Sequence, residues 1–129
     1  MVSPPKRPRV VLVEDEFLIA VSVQELLEDL GCEGIGPIGT LADALDHCSS
    51  IDADAAVLNL VLQGETAFAV ATILAARGIP FGFASGVDSD QTIDGWRSRP
   101  FLTKPYSSVQ LRDFLLQVLP DHIPPAASP

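Results

Sequence analysis

The stretch Asp54-Ala55-Ala56-Val57-Leu58-Asn59-Leu60 organises the rest of the chain. Its apolar run from Ala55 to Leu58 is continuous rather than alternating, the pattern of a strand covered on both faces. Such strands belong to parallel sheets with helices on either side. The run ends on a polar side chain, Asn59, and passes through Leu60-Val61-Leu62 into Gln63-Gly64-Glu65. In an open parallel sheet, ligands bind beyond the carboxyl ends of the strands. Asn59 therefore stands where a reaction centre is expected.

The same pattern extends to both sides of this stretch. Upstream, Arg9 to Val13 is a short β-branched run, a second buried parallel strand. Glu14-Asp15-Glu16 closes it and opens a helix, where acidic residues suit the positive end of the helix dipole. Ile19, Val23, Leu26 and Leu30 recur at helical spacing on one face, and Gly31 is the expected stop. Cys32 to Ile38 is a weaker, glycine-interrupted strand suited to a sheet edge. Thr40 can cap the next helix, with Leu41, Ala44, Leu45 and Cys48 inward. The central strand spans Ala55 to Leu60.

Downstream, the spacing predicts a third helix over Glu65 to Arg77, with Ala67, Val70 and Leu74 inward and Gly78 at its end. Ile79 to Ala84 reads as the fourth strand, followed by a polar loop from Ser85 to Asp90. A short fourth helix over Thr92 to Ser98 is weakened by Gly95. Residues 85–98 are accordingly the expected mobile part, in which Trp96 could anchor a partner or simply cover the sheet edge. Pro100 to Thr103 is the fifth strand, and Ser107 or Ser108 caps a last helix carrying Leu111, Leu115 and Val118. Five strands alternating with five helices predict an α/β fold, a flavodoxin-like (βα)5 doubly wound parallel sheet of order 2-1-3-4-5. The expected division is a loose arm over 1–8, one folded domain over 9–119 and a proline-rich tail over 120–129.

Composition narrows the function. A chain of 129 residues with 47% hydrophobic and 19% charged residues is globular and large enough to bury a core. A net charge of −9 argues against a nucleic-acid surface, which needs a basic face. Cys32 and Cys48 form neither a metal-ligand nor a redox spacing, so free thiols are expected. No stretch approaches the length of a membrane span, and no signal segment is visible. A cytoplasmic protein is the expectation.

Four polar sites fall at strand ends: Glu14-Asp15, Asn59, Ser85 and Lys104-Pro105. Each has a plain reading when taken alone. The acids could be an acidic first helical turn, Asn59 a strand-end amide satisfying backbone groups, Ser85 a loop serine and Lys104 a surface lysine before a turn. In the expected strand order, however, all four converge on one rim. Two adjacent carboxylates with further oxygen donors suit Mg²⁺. A hydroxyl and a lysine opposite them suit phosphoryl oxygens.

These residues carry a family resemblance. Val11-Leu12-Val13-Glu14-Asp15-Glu16, Ala56-Val57-Leu58-Asn59, Phe83-Ala84-Ser85-Gly86 and Phe101-Leu102-Thr103-Lys104-Pro105 resemble the receiver domains of two-component response regulators (CheY-like). The resemblance runs from about Arg9 to Leu119. The Phe-Ala-Ser-Gly and Lys-Pro-Tyr segments look most like a stand-alone subgroup with a Phe-Ala-Thr-Gly motif. That resemblance implies a phosphorelay protein rather than an enzyme, partnered by a sensor histidine kinase of the HWE or HisKA2 type. It also implies a downstream protein contacted through the fourth helix, fifth strand and last helix, and a monomer or weak homodimer. By the same resemblance, Glu14, Asp15, residue 59 and the Val61 carbonyl would hold Mg²⁺. Ser85 and Lys104 would contact the phosphoryl group, Phe101 would move with Ser85, and Pro105 would follow a cis peptide bond.

Position 59 would be the phosphoacceptor aspartate, and there the chain departs from the pattern. An aspartate attacks phosphorus through a carboxylate oxygen and forms an acyl phosphate. The uncharged amide of Asn59 is a very poor nucleophile, so no aspartyl phosphate is expected. Two carboxylates about 5 Å apart repel by on the order of 3 kcal/mol at an effective dielectric near 20. Asn59 removes its own share of that repulsion, which implies weaker Mg²⁺ binding than in an Asn59→Asp variant. Two accounts within the family stay open: a pseudo-receiver by divergence, and a normally phosphorylated regulator in which aspartate has been exchanged for asparagine. A flavodoxin-like cofactor carrier is disfavoured because Glu14-Asp15-Glu16 would repel a phosphate. A hydrolase using Ser85 lacks a base, since the two histidines, His47 and His122, lie on a helix and in the tail.

Overall fold

The computed structural model describes residues 7–86, 96 and 98–119. Chain order is β1 (Arg9–Val13), α1 (Phe17–Asp29), β2 (Glu33–Ile38), α2 (Leu41–Cys48), β3 (Ala55–Asn59), β4 (Val61–Leu62), β5 (Glu65–Thr66), α3 (Phe68–Ala76), β6 (Phe81–Ser85), β7 (Phe101–Thr103) and α4 (Ser108–Val118). The main sheet has the order β2-β1-β3-β6-β7, and all four of its pairings are parallel. This is the flavodoxin-like order expected from the sequence, with the small β4–β5 hairpin set apart from the sheet.

Period-two alternation along the central strands divides the core into two layers. Val11, Val13, Ala56, Leu58, Phe81 and Phe83 face α2 and α3. Val10, Leu12, Ala55, Val57, Ala84 and Leu102 face α1 and α4. β3 is buried along its whole length, which explains why its sequence is apolar without alternation. Gly82 lies on the α1/α4 side, where a Cβ would stand 2.2 Å from Phe114 Cε2 and 2.6 Å from the Pro100 carbonyl oxygen. Only a hydrogen at that position lets the Phe114 ring seat on the strand.

Helix ends follow local chemistry. Thr40 caps α2 by accepting from the Asp43 N–H, and Ser107, rather than Ser108, forms a reciprocal capping box with Gln110. Gly31 and Gly78 end their helices at φ values of 87° and 73°. The buried face of α1 is Ala20, Val23 and Leu27, with Ile19, Leu26 and Leu30 half-buried beside it. The expected α1 stripe is thus rotated slightly about the helix axis.

The largest departure lies after β3. The helix expected from Glu65 begins only at Phe68, and Glu65–Thr66 instead pairs antiparallel with Val61–Leu62. Gln63 and Gly64 both have positive φ, 49° and 86°, the combination that closes a two-residue hairpin. The central strand also stops one residue early, at Asn59. The expected arm over residues 1–6, most of the expected mobile segment and fourth helix (87–95 and 97) and the tail over 120–129 lie outside the described residues.

Candidate functional site

β1 delivers Glu14 and Asp15, β3 delivers Asn59, β6 ends on Ser85, and Lys104 follows β7. Parallel register sets these ends side by side, with Val13 opposite Leu58, Asn59 opposite Ala84 and Ser85 opposite Thr103. The Lys104 N–H donates to the Ser85 carbonyl at 2.7 Å and extends the last pairing by one residue. All five sequence-predicted side chains therefore reach one rim. Asp15, Asn59, Ser85 and Lys104 line a cleft of about 800 Å³ that continues along α1 past Leu18 and Tyr106.

Asn59 is the hub. Its Nδ2 donates to the Val61 carbonyl at 2.8 Å, to Asp15 Oδ1 at 2.9 Å and to Glu14 Oε2 at 3.2 Å. Its Oδ1 accepts from Lys104 Nζ at 3.1 Å. Lys104 Nζ also forms an ion pair with Glu14 Oε1 at 2.5 Å. Glu14 is 4% exposed and Asn59 6% exposed, so these contacts are largely withdrawn from water. The remaining carboxylate positions are served by backbone: the Glu16 N–H donates to Glu14 Oε2 and the Gln63 N–H donates to Asp15 Oδ2.

Sequence reasoning did not single out Gln63. It reaches Asp15 through its main chain, which leaves no side-chain signature, although Gln63-Gly64 is itself a legible turn signal. Tyr106, the last residue of the Lys-Pro-Tyr segment, also lines the cleft. It is half-buried, and desolvation, with the Glu14 carboxylate adding to it, pushes its phenol above the ordinary range. Phe101 pairs with Phe83 in the sheet and packs with Trp96 against the α2/α3 layer. The Lys104–Pro105 peptide bond is cis. Ser85 is buried at the end of β6, where it lines the cleft.

The oxygens that the resemblance assigns to Mg²⁺ do converge, but on the Asn59 amide nitrogen. They surround it at 2.8–3.2 Å, against about 2.0–2.1 Å for magnesium–oxygen bonds. As arranged, the donor set fits an N–H donor and does not fit a divalent ion. Among the described residues, no group of three or more His, Cys, Asp or Glu side chains could hold a metal.

No family model and no curated protein matches this chain. Solved structures do. SdrG from Sphingomonas melonis Fr1 is 38% identical over 88% of this chain and 97% of its own, with a TM-score of 0.79. A response regulator receiver domain (CheY-like) from Methylobacillus flagellatus is 26% identical over 88% of this chain and 99% of its own, with a TM-score of 0.75. The chain belongs to the response regulator receiver domains. A further receiver shares the fold at 16% identity: that of the sensor histidine kinase PA1611 from Pseudomonas aeruginosa PAO1. It matches over 90% of this chain and all of its own with a TM-score of 0.75, and its structure has a magnesium ion coordinated in the active-site cleft. In the present receiver, the rim of strand ends is knitted together by Asn59.

Proposed function

We propose that this receiver signals through protein contacts without forming an aspartyl phosphate, and that it is not an enzyme. The observation that carries this reading is the bonding of Asn59. At the acceptor position stands an amide whose oxygen is held by Lys104 and whose nitrogen is held by Glu14, Asp15 and Val61. Phosphoryl transfer to this position would need an anionic oxygen to attack phosphorus while the donor's bond to phosphorus breaks. Asn59 has no such oxygen, and Mg²⁺ contributes little because the amide takes the donors that would bind it.

Partners remain proteins in this reading. Phe17 and Leu18, 73% and 81% exposed on the first turn of α1, with exposed Val61 and Val109, give apolar purchase for a kinase or downstream protein. Most of the helix expected over Thr92 to Ser98, part of the surface expected to contact a downstream protein, lies outside the described residues. An HWE or HisKA2 kinase, a cytoplasmic setting and a monomer or weak homodimer complete the proposal. The free thiols of Cys32 and Cys48 suit a reducing compartment. Among the described residues, no helix is long and apolar enough to cross a membrane.

Phosphotransfer from a cognate kinase to this chain and to Asn59→Asp tests the reading. Label on the variant alone is the expected result, because Lys104, Ser85 and both acids are retained. Label on both proteins would reveal another acceptor and overturn it.

A further inference from the structure

We propose that the Asn59 carboxamide is an internal stand-in for the divalent cation, oriented by Lys104, and that it actively excludes that cation. The inference rests on the reading of Asn59 as the occupant of the acceptor position and goes beyond the loss of one charge there.

The amide sits between two chemically opposite walls. On one side are only acceptors: Glu14 Oε2, Asp15 Oδ1 and the Val61 carbonyl. On the other is a donor with nothing to accept, the Lys104 ammonium. A single orientation satisfies both walls. Turning the group by half a revolution would set Oδ1 against two carboxylates and an NH2 against an ammonium. Lys104, through Oδ1, thereby keeps Nδ2 pointed at the oxygens a cation would need.

Each oxygen of the two carboxylates already accepts at least one hydrogen bond from the protein. Glu14 Oε1 accepts from Lys104, Glu14 Oε2 from Asn59 and the Glu16 N–H, Asp15 Oδ1 from Asn59, and Asp15 Oδ2 from the Gln63 N–H. A cation seated where Glu14, Asp15 and the Val61 carbonyl converge must displace Asn59 Nδ2 from those three oxygens, which costs the buried amide its acceptors there. Two accounts of weak metal binding make opposite predictions at this point. If Asn59 merely lacks a charge, it still offers a carbonyl oxygen, so Asn59→Ala should bind Mg²⁺ no better than the parent. If the amide plugs the site, removing it should open the carboxylates, and Asn59→Ala should bind more tightly.

Mg²⁺ titration by calorimetry, with thermal unfolding in and out of millimolar Mg²⁺, separates the two. The expected affinity order is Asn59→Asp tightest, then Asn59→Ala, with the parent at least about tenfold weaker than the alanine variant. Mg²⁺ should raise the unfolding temperature of both variants and leave the parent unmoved. An alanine variant as weak as the parent would overturn the stand-in while leaving the phosphotransfer reading intact. A parent as tight as Asn59→Asp would overturn the stand-in by itself. Should Asn59→Ala fail to fold, the side-chain amide resonances of Asn59 in the parent decide. Unchanged positions across a Mg²⁺ titration support the stand-in, and a saturating shift refutes it.

Discussion

Lys104 brings a cation against Glu14, a carboxylate whose side chain is 2% exposed beside a lysine at 13%. Such a pair contributes less by forming than it costs by being half removed, because the survivor is an uncompensated buried charge. Lys104→Met keeps the length and apolar bulk of the side chain and deletes the charge. It should destabilise the fold by about 3 kcal/mol, the lower end of the range for a broken buried pair, since Asn59 and the Glu16 N–H still donate to Glu14. Urea unfolding at neutral pH measures this, and Lys104→Met combined with Glu14→Gln should recover part of the loss. A wild-type midpoint for Lys104→Met would show that the pair is solvated. Glu14, Asp15, Asn59, Ser85 and Lys104 were legible in the sequence because each follows an apolar run that fixes it to a strand end. Which of them bond to which was not legible. That Lys104 spans Glu14 and Asn59 together depends on side-chain reach across three strands, for which one sequence carries no signal.

At the scale of single elements, strands and helices were read correctly where periodicity ran long and were misread where a two-residue turn intervened. The segment after Asn59 shows why. Leu60 to Leu62 and Ala67 to Leu74 are both apolar, so a helix beginning at Glu65 fits the spacing. The left-handed pair Gln63-Gly64 overrides it and folds Val61–Leu62 back on Glu65–Thr66. Gly36 had a similar hidden constraint, since a Cβ there would meet the Leu12 carbonyl oxygen at 2.8 Å with φ at 110°. Gly82 is the most demanding glycine for a different reason: its backbone is ordinary, but the space over it is filled by Phe114. Gly82→Ala must push that ring or the Pro100 carbonyl aside and should cost about 3 kcal/mol, the upper end of overpacking penalties. Thermal or urea unfolding would show the loss, and Gly82→Ala with Phe114→Leu should restore some of it. An unaltered midpoint for the single variant would mean that β6 and α4 slide apart freely.

For the molecule as a whole, the two-layer core follows from nothing more than alternation on buried strands, and it was the most legible property of all. Burial of its few ionisable groups carries a pH signature. Desolvation raises the thiols of Cys32 and Cys48, with Arg7 and Arg77 opposing it respectively, and raises the phenol of Tyr106. Each group is an acid whose folded form holds its proton to higher pH than the unfolded form does. The folded state then binds more protons than the unfolded state once pH exceeds the unfolded values. Stability is fully present below that point and declines above it, beginning near about pH 8.5 for the thiols and near about pH 10 for the phenol. Urea midpoints across that range should be level at neutral pH and then fall, with Cys32→Ala and Cys48→Ala together flattening the first part of the fall. A level profile throughout would contradict the burial. The aromatic cluster over β6 offers a last consequence. The chain's single tryptophan, Trp96, rests edge-on at 5.6 Å from Phe81 and 6.3 Å from Phe83. Its emission is therefore a built-in optical gauge of the core layer over β6, and a layer that loosened ahead of the rest would announce itself as a change of colour before any change in ellipticity.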